Sequence, residues 1–272
     1  MSKKDKKIVA ERLTDLVGRY SGSNILYQLE KEYKGLPNKL VDVEEIDDNA
    51  FLKRIKYSQK QLDILIHAYN TNSFVEPLIV RPKKDHYEVV VGRKRLHAAR
   101  LSNMKQIHVI VGDFGDEETL LIMLTIARDE HHVNPIEMAL ICSVLSKDYQ
   151  YSQSQLAKLT KISRPQVTNI TRLLTLPDSV INDVARGKLQ FGHARALITL
   201  PENKAIEFAE IAKKDNLNVR ILEQMVRSYK NSDEHQNKRI HIREQKSGLT
   251  LSFSDEETKL EVLKYLKDKY EN

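Results

Sequence analysis

The chain has 272 residues, long enough for two or three small domains with real cores, and carries 44 Lys and Arg against 38 Asp and Glu, a net charge of +6. Its single cysteine, Cys142, excludes an internal disulfide and a cysteine-rich zinc site, and no apolar run reaches the length of a membrane span. The N-terminus is basic but has no apolar signal core, so the reading is of a soluble, unexported protein in a reducing cytoplasm.

Residues 1–35 begin as a lysine-rich tail and continue into an amphipathic helix with Ile8, Leu13, Leu16 and Val17 on one side. Two readings stay open: a solvated tail, and a segment that docks on a partner protein. Residues 36–116 alternate short β-branched runs at 78–80, 89–91 and 107–111 with helical pattern at 58–70 and after Gly92. An α+β domain follows. At Gly92, Arg93, Lys94 and Arg95 a strand passes through a glycine into a basic helix start, an arrangement that suits phosphate; a glycine turn before a solvated basic face is the plainer alternative.

Residues 117–229 read as one helical domain. The first helix spans 117 to about 128, and the second spans 134–149, with Asn134 as N-cap, Pro135 in the first turn and Glu137 at the capping-box position. Cys142 sits in an apolar run as a small core residue. His131 and His132 lie between the two helices without a third ligand at a metal-like spacing, so they are surface residues and no metal site is expected.

Residues 152–176 carry the strongest local signal. Ser152 with Gln155, and Ser163 with Gln166, each have the S-x-x-Q form of a capping box, so two helices start eleven residues apart. Leu156, Ala157 and Leu159 face Val167, Ile170, Leu173 and Leu174 at helical spacing, and Pro165 occupies a first turn. This is a helix-turn-helix pattern. Its outward set, Arg164, Gln166, Thr168, Asn169 and Arg172, bonds base edges and phosphates in DNA-reading proteins, whereas an ordinary helical hairpin would leave the same residues merely solvated. Lys161 stands in the tight turn where glycine is usual, at a cost on the order of 1 kcal/mol. Residues 151–200 hold seven basic residues against two acidic ones, which concentrates most of the net charge there.

Beyond this segment, Pro177 ends a helix, residues 179–186 form another terminated at Gly187, and a further helix carries His193 and Arg195. Residues 230–246 are almost wholly polar and read as an exposed linker. Residues 247–272 alternate Leu249, Leu251 and Phe253 as a strand, then run Leu260, Val262, Leu263 and Leu266 along a helix. One strand and one helix bury too little alone, so pairing with a second copy is expected. No nucleophile elbow, metal-binding helix, P-loop or dinucleotide fingerprint is present.

From residue 41 onward the chain resembles the ParB-type partition proteins, a group that includes nucleoid-occlusion proteins. The segments that carry the likeness are VEPLIVR at 75–81, YEVVVGRKRLHAARL at 87–101, NPIE at 134–137, SRPQVTNITRLLTLP at 163–177 and GHARAL at 192–197. The resemblance implies a sulfiredoxin-like α+β N-terminal domain, an all-α helix-turn-helix domain that reads a palindromic centromere-like site, and a small α/β C-terminal dimerisation domain. It also implies a ParA-type ATPase contacted by the N-terminal segment, here through Lys3, Lys4, Lys6 and Lys7.

The departures concern the nucleotide. CTP-dependent members carry a G-E-R-R-x-R box, which here reads Gly92, Arg93, Lys94, Arg95, Leu96, His97, and an E-N-x-x-R motif that falls on Ile126, Ala127, Arg128, Asp129 and Glu130. An apolar Ile126 cannot hold magnesium and Glu130 repels phosphate. The expectation is weak CTP binding through Gly92, Arg93, Lys94 and Arg95, little hydrolysis, and no conventional catalytic residues. The leading reading is a dimeric partition protein in which Arg164, Gln166, Thr168 and Asn169 read bases, Arg172, Lys188, His193 and Arg195 hold phosphates, and Ser163 belongs to the same DNA-binding set. A helix-turn-helix repressor and a nucleotide-using enzyme built on the N-terminal domain are the alternatives.

Overall fold

The computed structural model describes residues 39–71, 73–129, 134–237, 240–245, 248–253 and 256–270. The N-terminal segment, the two adjacent histidines and Glu130 lie outside them. Strands β1 (Lys39–Asp42), β2 (Ile46–Asp47), β3 (Leu78–Lys83), β4 (His86–Val91) and β5 (Gln106–Val111) form one mixed sheet in the order β1-β5-β3-β4-β2. β3 and β4 are an antiparallel hairpin, while β3 runs parallel to β5 and β2 parallel to β4. Helices α1 (Gln59–Asn70) and α2 (Arg93–Leu101) close one face.

Alternation sends Val89 and Val90 of β4 to opposite faces, so the strand serves two cores at once, while Val91, its last residue, departs from the alternation and lies with Val90. Val89 packs with Leu78, Leu96, Ala99 and Val109 in the core of the α+β domain. Val90 and Val91 pack instead in the core of the helices that follow, together with Leu52, Ile55 and Phe114. Those helices are α3 (Asp116–Asp129), α4 (Pro135–Lys147), α5 (Gln153–Thr160), α6 (Arg164–Arg172), α7 (Asp178–Ala185), α8 (Phe191–Leu197), α9 (Glu202–Lys214) and α10 (Val219–Asn237). Cys142 is buried among them, and burial pushes its thiol up to about 12, as suits a core residue.

The described residues of the polar stretch at 230–246, expected as a linker, lie in a helix and a strand. α10 continues to Asn237, and β6 (Ile240–Gln245) pairs antiparallel with β7 (Gly248–Phe253), Ile240 opposite Phe253 and Gln245 opposite Gly248. A ladder needs only backbone donors and acceptors, so polar composition does not forbid it. Helix α11 (Glu256–Tyr270) follows, with Leu260 and Leu263 exposed.

Candidate nucleic-acid interface

Helices α5 and α6 form the helix-turn-helix, and both starts are capped as the sequence specifies. The Ser152 amide donates to Gln155 Oε1 at 2.9 Å and the Gln155 amide returns a bond to Ser152 Oγ at 3.2 Å. At α6 the Ser163 amide donates to Gln166 Oε1 at 2.9 Å and the Gln166 amide to Ser163 Oγ at 3.4 Å. Lys161 takes the left-handed turn at φ 55°. Leu156, Leu159, Val167 and Leu173 are each 0 % exposed, which anchors α6 by one side.

The other side of α6 is open. Ser163, Arg164, Gln166, Thr168 and Arg172 are exposed and Asn169 is half-buried. The side chains of Arg164 and Arg172 make no ion pair among the described residues. Gln166 spends its oxygen on the cap, which leaves its amide donors outward; the Thr168 hydroxyl donates back to the Arg164 carbonyl at 3.2 Å.

The flanking phosphate set needs correction. Lys188 is exposed and stands 3.8 Å from Asp183. His193 is buried, with Nδ1 accepting from the Gln190 amide at 3.2 Å, so it caps α8 and does not face solvent. Arg195 pairs with Glu223 on α10 at 2.6 Å. A Cβ at Gly192 would meet Val219 at 2.8 Å, so the glycine permits close approach of α8 to the start of α10. The GHARAL segment is thus chiefly a packing and capping motif. Gln190 three residues before His193 is the signal that could have shown it.

At the second candidate site, Gly92 sits before α2 at φ 95°, where a Cβ would meet Leu78 at 2.6 Å, so only glycine fits. The cations that follow are not open to an anion as expected. Arg93 is 7 % exposed. Its guanidinium donates to Asp48 at 2.5 and 3.0 Å, to Glu137 at 3.1 Å, to the Tyr57 hydroxyl at 3.2 Å and to the Ile55 carbonyl. Arg95 donates to the Glu76 and Pro77 carbonyls, both at 2.8 Å. Lys94 lines the same cavity of about 330 Å³ as Arg93, Arg95, Ile126 and Glu137.

The roles of Asp48, Tyr57 and Glu137 escape sequence reasoning. Glu137 does not close a capping box; Asn134 alone caps α4, by accepting from the Ile136 amide at 3.0 Å. Glu137 accepts instead from Tyr57 at 2.8 Å and from Arg93, which joins the first turn of α4 to the α+β domain. Burial opposes the charge on Asp48, but hydrogen bonds from His97 and Arg93 outweigh it and hold its carboxyl well below the usual range. Burial, with Glu137 beside it, pushes the Tyr57 hydroxyl up. This donor set fits a triphosphate poorly, because Arg93 is already neutralised by two carboxylates.

The family model of the ParB N-terminal domain matches residues 28–127, and that of the ParB HTH domain matches residues 131–231. A protein of Pseudomonas putida named as a probable chromosome-partitioning protein ParB is 31 % identical over 201 residues, which cover 74 % of this chain and 68 % of that protein. The chain belongs to the ParB family. Among solved ParB structures, the C-terminally truncated protein of Caulobacter crescentus complexed to the centromeric parS site is 26 % identical, covers 70 % of this chain and 99 % of its own, and has a TM-score of 0.40. The same protein complexed with CTP-gamma-S is 26 % identical, covers 64 % and 97 %, and has a TM-score of 0.33.

Proposed function

We propose that this ParB-family chain is a site-specific DNA-binding partition protein that recognises a palindromic centromere-like site as a dimer. The observation that carries the proposal is α6, a helix fixed by Val167 and a capping box, whose polar side is left exposed and whose arginines pair with no carboxylate among the described residues. Arg164, Gln166, Thr168 and Asn169 read base edges, with Ser163 holding the helix start. Arg172 and Lys188 hold phosphates; Arg195 joins them only by leaving Glu223.

Dimerisation runs through β6, β7 and α11, whose exposed Leu260 and Leu263 need a second copy to cover them. A ParA-type ATPase engages the N-terminal segment. CTP binds weakly at the Gly92 cavity, because Asp48 and Glu137 already neutralise the nearest guanidinium. The protein resides on the nucleoid or on a plasmid; no helix among the described residues is long and apolar enough to cross a membrane.

A map of bound DNA across the native replicon tests the reading. A peak over a palindrome, lost in Arg164→Ala, is the expected result, and a broad skirt around it would mean spreading. Absence of any peak in the unaltered protein overturns the proposal.

A further inference from the structure

We infer that the α+β domain brings its own row of phosphate contacts to DNA, through Lys53, Lys56 and Lys60; this rests on the DNA-binding reading above. The row begins with two anchors. Leu52 and Ile55 are 3 % and 2 % exposed and lie in the core of the helical domain, not in that of their own sheet. With those two side chains fixed inward, Lys53 and Lys56 are exposed, and so is Lys60 at the start of α1.

The segment that bears them is tied to both ends of α7. Arg54 pairs with Asp178 at its start at 2.6 Å. Gln61 donates to the Ala185 carbonyl at 3.3 Å and Ser58 to that of Arg186 at 3.5 Å, at its end. Residues 54–61 therefore run alongside a helix of eight residues, about 12 Å long at 1.5 Å per residue. The segment thus reaches the turn that leads into Lys188, which is assigned above to the DNA backbone. Gln61, Gly187 and Ile170 of the recognition helix line one cavity of about 610 Å³, which places the start of α1 across a single cavity from α6.

The carboxylates nearby are largely taken. Arg54 holds Asp178, and Lys213 holds Asp183 at 2.5 Å, with Lys188 further off. Among the described residues Lys53, Lys56 and Lys60 have no ion pair, and exposed Asp63 is the one carboxylate within a turn of Lys60. Three exposed cations without ion pairs, on or next to a segment that runs along a helix about 12 Å long, suit a duplex, which carries a negative charge every 1.7 Å or so.

The test is the salt dependence of binding by the full chain to a random-sequence duplex, followed by fluorescence anisotropy. Each cation withdrawn from a phosphate flattens the slope of log affinity against log salt by about 0.9, so K53Q/K56Q/K60Q should flatten it by up to about 2.7. The same positions changed to arginine should keep the original slope and show that charge, not packing, is at work. An unchanged slope in the triple glutamine variant, with Arg172→Gln flattening it as expected, overturns this inference and leaves the DNA reading standing; so does an arginine variant whose slope flattens as much as that of the glutamine one. If the unaltered chain binds no duplex, both fall.

Discussion

Two helices in this molecule open on an arginine and carry further cations, and they differ in what surrounds them. At α2 the run Arg93, Lys94, Arg95 follows a glycine whose backbone would strain any other residue, yet Arg93 is buried between Asp48 and Glu137 and Arg95 is bound by two carbonyls. At α6, Arg164 and Arg172 are exposed, and no carboxylate among the described residues pairs with them. In the first case positive charge holds the protein to itself; in the second it is available to a ligand. A basic run in a sequence counts charges, whereas binding depends on charges not yet neutralised.

Substitutions at the two starts should therefore move different observables. Arg93→Ala has the largest expected effect: it takes the guanidinium from two buried carboxylates, leaving Asp48 to His97 and Glu137 to the Tyr57 hydroxyl, and should lower stability by about 3–5 kcal/mol in denaturant unfolding. Below its transition the variant should keep the wild-type salt slope on DNA. Arg164→Ala should do the converse, with a loss of about 1–3 kcal/mol in specific DNA affinity and a stability change within about 0.5 kcal/mol. A variant at either start that moved both observables equally would erase the distinction.

Ser163→Ala sharpens the comparison from within α6. It removes one half of a capping box and should cost about 1 kcal/mol in stability, measured as a shift in the denaturant midpoint. The smallest effect at neutral pH is that of acid on the buried pair. The Asp48 carboxyl is held below its ordinary value of 3.8, so its contribution is complete above that value and drains away as pH falls beneath it. Acid titration of stability should therefore steepen below about pH 4 in the native chain, and Asp48→Asn should flatten that limb.

The legible parts of this chain are those written in consecutive residues. Both S-x-x-Q boxes form, Lys161 takes the left-handed turn, and the β-branched runs become β3, β4 and β5. Ser58 with Gln61 has the same form and caps α1, a third instance of the rule. What is illegible joins residues far apart. Glu137 resembles a cap because it stands three residues after Asn134, but its partner Arg93 is 44 positions away. His193 resembles a phosphate ligand because it neighbours Arg195, yet helical geometry turns it inward towards its own cap. Polar composition at 230–246 conceals a strand, since side-chain polarity says nothing of backbone pairing.

The sharing of one core between the α+β portion, up to Phe114, and the helical portion that follows has a consequence for folding and for descent. Leu52, Ile55, Val90, Val91 and Phe114 come from the first domain and lie in the interior of the second. The α+β and helical portions should therefore unfold as one cooperative unit, with a single transition in thermal or denaturant unfolding and not two. The same interlock makes exchange of whole domains between relatives costly. A foreign helical half would have to accommodate five donated side chains, so these two portions of the chain are constrained to vary together.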